Sequence, residues 1–154
     1  MDKHFNIGEA FVIAVQLEKN GAAFYKEVAS SVSDSAAREF LEELAEQELE
    51  HQKVFEEIAA SAIGQIEMDD LAEAYIKELS TEFVFKLEDA EEDWENMTFL
   101  NTIDFAIERE KDAIIFFLGI AGAFKGENNE KINRIVQEEK SHMIDLLRLK
   151  ERFR

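Results

Sequence analysis

Six side chains of the metal-binding type stand in two copies of one pattern. In each copy a glutamate lies within an apolar stretch and is followed about 30 residues later by the motif Glu-x-x-His. The six residues are Glu18, Glu48 and His51 in the first copy and Glu110, Glu139 and His142 in the second. Helix bundles that bind two metal ions in their core combine carboxylates with Glu-x-x-His in this way. The pattern therefore predicts a metal centre with these six ligands.

The two copies belong to an internal repeat of the sequence. Residues 14–25 align without gaps with residues 106–117, and residues 44–51 align with residues 135–142. Each ligand-type residue of the first copy is therefore equivalent to one in the second. The repeat indicates a single helix hairpin that is used twice.

Helix signals in the sequence predict four long helices. Asn6, with Glu9 three residues later, has the spacing of a capping box that opens the first helix. Thr98 or a neighbour is expected to cap the third. Polar turns and glycines predict where the helices end. The expected ranges are about 7–30, 35–63, 98–126 and 128–154.

A connector of about 33 residues, 65–97, separates the two predicted hairpins at 7–63 and 99–152. It is long enough to cross the bundle and is expected to contain one short helix at 69–79. The sequence thus predicts one all-α domain over 1–154, in which two antiparallel hairpins are joined by a long crossover, the topology of ferritin-like folds. Five apolar residues of the connector are expected to pack on the bundle: Phe83, Val84, Phe85, Leu87 and Trp94.

The four glutamates are expected to lie at one level of this bundle. Glu18 and Glu48 are each 15 residues from Ser33, the centre of the first predicted turn. Both therefore lie about 22 Å down their helices, at about 1.5 Å per residue. The glutamates of the second hairpin are at similar distances from its turn, so four carboxylates converge.

Buried carboxylates need compensation, because desolvation and mutual repulsion cost about several kcal/mol for each uncompensated ion. Two divalent cations would neutralise the four charges. Carboxylate and imidazole ligands suit iron or manganese, and zinc accepts the same ligands. Glu48 and Glu139 are the expected bridging ligands, and Glu18 and Glu110 the terminal ones. The alternative is a set of buried Glu/His hydrogen bonds without metal; two matched copies at equal depth favour the metal.

Composition excludes several classes of function. The net charge of −18 argues against nucleic acid or an anionic membrane as partner. The absence of cysteine removes disulfides and thiolate metal sites. The longest apolar run, 113–124, is too short to span a bilayer. Residues 1–6 lack the pattern of a signal peptide, so a cytoplasmic location is expected.

At these motifs the chain resembles the rubrerythrin-like members of the ferritin-like di-iron superfamily. The resemblance covers nearly the whole chain and rests on Leu17-Glu18-Lys19 through Phe24-Tyr25, Glu48-Leu49-Glu50-His51, Glu110-Lys111 and Glu139-Lys140-Ser141-His142. It implies two iron ions and reduction of hydrogen peroxide. It also implies that Tyr25 lies near the centre, where it could hydrogen-bond a carboxylate or a bound oxygen species and is the candidate catalytic residue. The alternative is an aromatic side chain that only packs in the core.

The chain departs from the family pattern in two places. Typical rubrerythrins carry a further glutamate one turn after the ligand of the third long helix, where this chain has Ala113. They also end in a cysteine-ligated rubredoxin domain, which a chain without cysteine does not contain. Electrons are therefore expected from a separate donor protein.

Three functions stay open at the level of sequence. The first is a peroxide-reducing di-iron enzyme, and the second is a ferroxidase that reacts with dioxygen and handles iron. The third is a bundle that metal only stabilises, acting as a structural or sensor module. The runs 11–13 and 114–117 contain more apolar residues than the core-facing side of a helix can bury. The surplus favours a homodimer or a higher homo-oligomer.

Overall fold

The computed structural model describes residues 7–62, 69–88 and 97–154, and the side chains of 7–61, 69–82 and 97–154. Within these ranges the chain is helical and has no strand. The five helices are α1 (Ile7–Ser31), α2 (Ser35–Ala62), α3 (Asp70–Glu88), α4 (Phe99–Ala121) and α5 (Glu127–Phe153). The predicted all-α bundle is confirmed: α1 pairs with α2, and α4 pairs with α5.

Side-chain caps fix the starts of three helices. The Asp34 carboxylate accepts a hydrogen bond from the Ala37 amide at 2.8 Å and opens α2. Asp69 accepts from the Ala72 amide at 2.7 Å at the start of α3. Thr98 accepts from the amide of residue 101 at 3.2 Å, which confirms the predicted cap of α4. Each cap satisfies an amide that has no partner inside the helix.

The helix α4 ends earlier than the sequence predicted, at Ala121 instead of near Gly126. A turn begins at Gly122, whose amide donates to the Leu118 carbonyl at 3.2 Å. The turn finishes at Gly126, whose φ of 71° favours glycine. Between the two glycines Phe124 folds back into the core, where its ring lies 5.5 Å from that of Phe11. Burial of this aromatic ring explains why the helix stops short.

The helix of the connector is longer than predicted, since α3 runs from Asp70 to Glu88 and not only to residue 79. It contacts both α1 and α4. Tyr75 of α3 approaches Gly119 of α4 so closely that a Cβ at Gly119 would lie 3.1 Å from its ring. Three predictions lie outside the described residues: the contacts of the five apolar connector residues, the Asn6 cap, and the end of the second helix at about residue 63.

Two apolar clusters fill the bundle on either side of a polar layer. The first apolar cluster includes Phe11, Phe55, Phe117, Ile120 and Ile132. The second apolar cluster includes Phe24, Leu41, Leu44, Ile103 and Leu146. Each long helix contributes to both clusters and carries its ligand-type glutamate between them. The helix faces thus bury apolar surface at both ends and place carboxylates at mid-length.

Some of the apolar surplus noted in the sequence is exposed. Val12 on α1 is 70% exposed, and Ile115 on α4 is 45% exposed. Their neighbours Phe11 and Phe117 are buried in the first apolar cluster. The homo-oligomer stays a prediction. In the described part of the chain, none of the helices is long and apolar enough to cross a membrane.

Candidate metal centre

All six predicted ligand residues meet in the polar layer. None of them is more than 4% exposed, although carboxylates and imidazoles are seldom fully buried. Two lie on adjacent turns of α2, two lie on adjacent turns of α5, and α1 and α4 contribute one each. The residues are Glu18, Glu48, His51, Glu110, Glu139 and His142. Their convergence follows from the equal depth of the ligand positions on antiparallel helices.

The six residues form two overlapping groups, each able to offer four ligand atoms within 4.8 Å of one another. The first group adds Glu18 and His51 to a shared pair of carboxylates, and the second adds Glu110 and His142 to the same pair. The shared residues are Glu48 and Glu139, the two expected to bridge. The layout fits two cations side by side, while the ligand role of each residue stays a prediction.

Each histidine directs Nδ1 towards the carboxylates. His51 Nδ1 lies 3.0 Å from Glu139 Oε1 and 3.5 Å from Glu18 Oε2. His142 Nδ1 lies 3.3 Å from Glu139 Oε2 and 3.5 Å from Glu48 Oε1. The two rings stack, with centroids 5.9 Å apart and planes 21° apart. Both Nδ1 atoms are thus placed as ligand atoms.

The opposite nitrogen of each histidine contacts a residue that the ligand pattern did not include. His51 Nε2 lies 2.5 Å from Glu138 Oε2, and His142 Nε2 contacts Gln47 Oε1. The Glu138 side chain is 50% exposed, and its contact with the histidine was not foreseen from the sequence. Gln47 was missed. The repeat could have indicated both, because each immediately precedes a shared glutamate.

Tyr25 lies beside the second group, two turns along α1 from Glu18. Its hydroxyl donates to Glu110 Oε1 at 2.6 Å, and the side chain is buried. Burial, together with the nearby carboxylates of Glu110 and Glu48, raises the pKa of Tyr25 well above its ordinary value. The phenol therefore keeps its proton. Its predicted catalytic role is a separate matter and stays a prediction.

Protons compensate the buried charges when no cation is present. Burial and the charges of neighbouring carboxylates raise the pKa of Glu18 and of Glu110 well above the ordinary value. Burial alone would raise the pKa of Glu139 too, but hydrogen bonds from Glu110 and both histidines hold it well below its usual range. Although burial opposes it, hydrogen bonding to Glu139 and Glu48 raises the pKa of His142 to about 9.

Three buried carboxylate oxygens without hydrogen-bond partners show how well metal ions would fit here. Glu18 Oε2, Glu48 Oε1 and Glu110 Oε2 are buried and have no hydrogen-bond partner within the described part of the chain. Buried acceptors without partners are costly. Cations would satisfy them, and four carboxylates with two imidazoles form a ligand set that suits two divalent ions. The residues therefore fit a two-metal centre.

The position of the extra family glutamate contributes no ligand. Ala113 is half-buried and packs against the first apolar cluster. Its equivalent in the repeat, Gly21, brings the α1 backbone close to the centre, since a Cβ there would lie 3.4 Å from Glu48 Oε2. Glu46 and Glu108, which flank the ligands in sequence, are exposed.

Two comparisons with known proteins find a family and a fold for this chain. A family profile described as Rubrerythrin matches residues 9–150. Among solved structures, a protein from Thermotoga maritima described as a ferritin-like diiron-carboxylate protein superimposes with a TM-score of 0.71. That alignment covers 98% of each chain at 20% sequence identity, so it shows a shared fold. No curated protein matches the sequence.

Proposed function

Because the chain belongs to the rubrerythrin family, we propose that it is a di-iron oxidoreductase that reduces hydrogen peroxide. The observation that carries the proposal is the pair of overlapping ligand groups, which share Glu48 and Glu139. Glu48 and Glu139, which belong to both groups, would hold both irons. Glu18 and His51 would complete the ligands of one iron, and Glu110 and His142 those of the other.

When bound, two ferrous ions would supply one electron each, which together with two protons reduce one hydrogen peroxide to two waters. The protein holds one candidate proton at the Tyr25 hydroxyl, 2.6 Å from Glu110 Oε1. Its raised pKa keeps that proton in place until a stronger base accepts it. The apolar clusters above and below the centre keep bulk water away from these groups.

The chain itself offers no thiolate site for an electron carrier, since it has no cysteine. Return of the centre to its reduced state is therefore assigned to a separate donor protein. The negative surface that a net charge of −18 gives the molecule would favour a donor with a positive docking face.

Anaerobic loading with ferrous ions, followed by hydrogen peroxide or by dioxygen, tests the proposal. Near-ultraviolet absorption in a stopped-flow instrument reports oxidation of the irons. We expect two irons to be oxidised for each peroxide, and oxidation by dioxygen to be much slower. Glu139→Gln should abolish the signal, because both ligand groups use this residue. Glu46→Gln, an exposed glutamate on α2, is the charge-matched control and should behave like the wild type.

Other outcomes would redirect the assignment. Faster oxidation by dioxygen, with turnover of added ferrous ions, would indicate a ferroxidase. Binding of two irons without reaction towards either oxidant would indicate a metal that only stabilises the bundle. Failure to bind a second iron would contradict both the enzyme and the ferroxidase.

A further inference from the structure

The two halves of the metal centre are built from equivalent ligands but have different surroundings. Under the internal repeat Gln47 is equivalent to Glu138, and Tyr25 is equivalent to Phe117. Both pairs lie next to the ligands, and in both pairs the chemistry differs. The ligand sets are therefore symmetric, whereas the groups that support them are not.

The first difference concerns the histidines. His51 Nε2 faces the Glu138 carboxylate at 2.5 Å, whereas His142 Nε2 faces the carboxamide oxygen of Gln47. A hydrogen bond to a carboxylate is stronger than one to a neutral amide, and it increases the electron-donating power of the imidazole at its other nitrogen. Nδ1 of His51 is therefore a stronger ligand for a cation than Nδ1 of His142.

The second difference concerns the terminal carboxylates. Glu110 Oε1 accepts the Tyr25 hydrogen bond at 2.6 Å, which draws electron density from that carboxylate. The residue equivalent to Tyr25 is Phe117, which has no hydroxyl and packs with its ring 4.7 Å from that of Phe55. One oxygen of each terminal carboxylate, Glu18 Oε2 and Glu110 Oε2, has no hydrogen-bond partner within the described residues. The two carboxylates therefore differ in the phenol hydrogen bond at Glu110 Oε1, which makes Glu110 the weaker ligand of the two.

Both differences favour the same half of the centre. We propose that the two metal positions fill in order: the position between Glu18 and His51 takes the first divalent ion tightly, and the position between Glu110 and His142 takes the second more weakly. Glu138 and Gln47 are positioning residues that set this difference through the histidines. The inference rests on the metal-binding part of the proposed function and not on its peroxide chemistry.

The test is anaerobic titration of the metal-free protein with Co²⁺, in competition with a chromophoric chelator that resolves both dissociation constants. We expect two separate steps in the wild type. Glu138→Gln should weaken the first step about 10–100-fold, so that the two steps converge. Gln47→Glu should tighten the second step by a similar factor. Glu46→Gln, with the same change of charge, should affect both steps slightly and equally.

The location of the first ion is measured directly. Crystals grown with one Co²⁺ per chain should show anomalous scattering between Glu18 and His51 in the wild type. The double exchange Gln47→Glu/Glu138→Gln should move it towards the side of His142. Glu138 and Gln47 have exposed side-chain surface, so circular dichroism of the metal-free variants should match the wild type.

Three results would overturn the inference: equal affinities in the wild type, a first ion beside His142, or equal shifts of both steps in Glu138→Gln. Two ions bound with equal affinity would leave the peroxide proposal standing. Failure to bind two ions at all would remove both proposals. The binding data therefore separate failure of the ordered filling from failure of the function.

Discussion

The polar layer and the two apolar clusters contribute to the molecule in opposite ways. The clusters bury close-packed rings and aliphatic chains, as in the contact of Phe55 with Phe117 at 4.7 Å between ring centroids. The polar layer buries four carboxylates and two imidazoles, some with oxygens that lack partners among the described residues. Folding is driven by the clusters, while the layer is costly until it is neutralised.

This difference explains how the bundle stays folded although its buried polar layer lowers the stability of the protein. Every long helix is anchored in an apolar cluster on both sides of its ligand. The apolar clusters therefore hold the carboxylates together although their charges repel. Such preorganisation lowers the cost of ordering the ligands on binding.

The largest expected effect of one substitution on the metal-free protein lies in an apolar cluster. Phe55→Ala removes a fully buried ring from the first apolar cluster and should lower the free energy of unfolding by about 3–5 kcal/mol. Urea unfolding of the metal-free protein measures it. Val12→Ala, at a position 70% exposed, is the matched control and should change little. Equal losses in both variants would break the distinction between buried clusters and surface.

The next effect lies in the polar layer and depends on metal. Addition of Mn²⁺ at about 100-fold its dissociation constant should stabilise the wild type by about 2.7 kcal/mol for each site. Glu139→Gln should lose this gain, because Glu139 belongs to both ligand groups. Thermal unfolding with and without Mn²⁺ measures the difference, and Glu46→Gln should keep the full gain. Stabilisation that survives Glu139→Gln would place the cations elsewhere.

The long helices and the convergence of the ligands followed from the sequence because both depend on regular spacing. A helix advances by a fixed rise, so Glu18 and Glu48, equally far from a turn, had to meet. Thr98 could be recognised as a cap from its residue type and position. These features need only local geometry and the repeat.

Other features depend on contacts that spacing does not specify. The early end of α4 depends on Phe124 finding space beside Phe11. Gln47 and Glu138 each contact a histidine on the other helix of the pair α2 and α5. The spacing of residues within one helix shows only that both side chains point away from the face that carries the ligands. Tertiary packing decided these details, and the internal repeat was the signal that could have linked Gln47 with Glu138.

Stability of the metal-free polar layer should fall as the pH rises. The pKa of His142 is about 9 in the folded protein and about 6.5 when unfolded, so its contribution is complete below pH 6.5 and disappears towards pH 9. The raised pKa of Glu18 acts in the same direction from a lower pH. We expect a loss of about 3 kcal/mol across this range, since a shift of one pKa unit corresponds to about 1.4 kcal/mol.

Urea unfolding between pH 6 and 9.5 measures this slope, and His142→Gln should flatten it. The metal-loaded wild type should behave in the opposite way, because cations displace protons from the centre and therefore bind more tightly at higher pH. A metal-free protein that gains stability between pH 6.5 and 9 would contradict the assignment of protons to the polar layer.

The smallest change in stability is expected at the border of the polar layer and the second apolar cluster, where Tyr25 belongs to both. Its ring packs in the cluster, and its hydroxyl donates to Glu110 at 2.6 Å. Tyr25→Phe keeps the ring and removes the hydrogen bond, which should cost about 1 kcal/mol in the metal-free protein. Tyr75→Phe, at a position 49% exposed on α3, is the matched control.

The same pair of variants separates structure from catalysis. If the Tyr25 proton takes part in peroxide reduction, Tyr25→Phe should slow iron oxidation by peroxide about 100-fold while two irons still bind. A lost hydrogen bond alone would lower stability and leave the rate unchanged. An unchanged rate would therefore assign Tyr25 to the support of Glu110, and the polar layer would then contain ligands and their supports without an acid of its own.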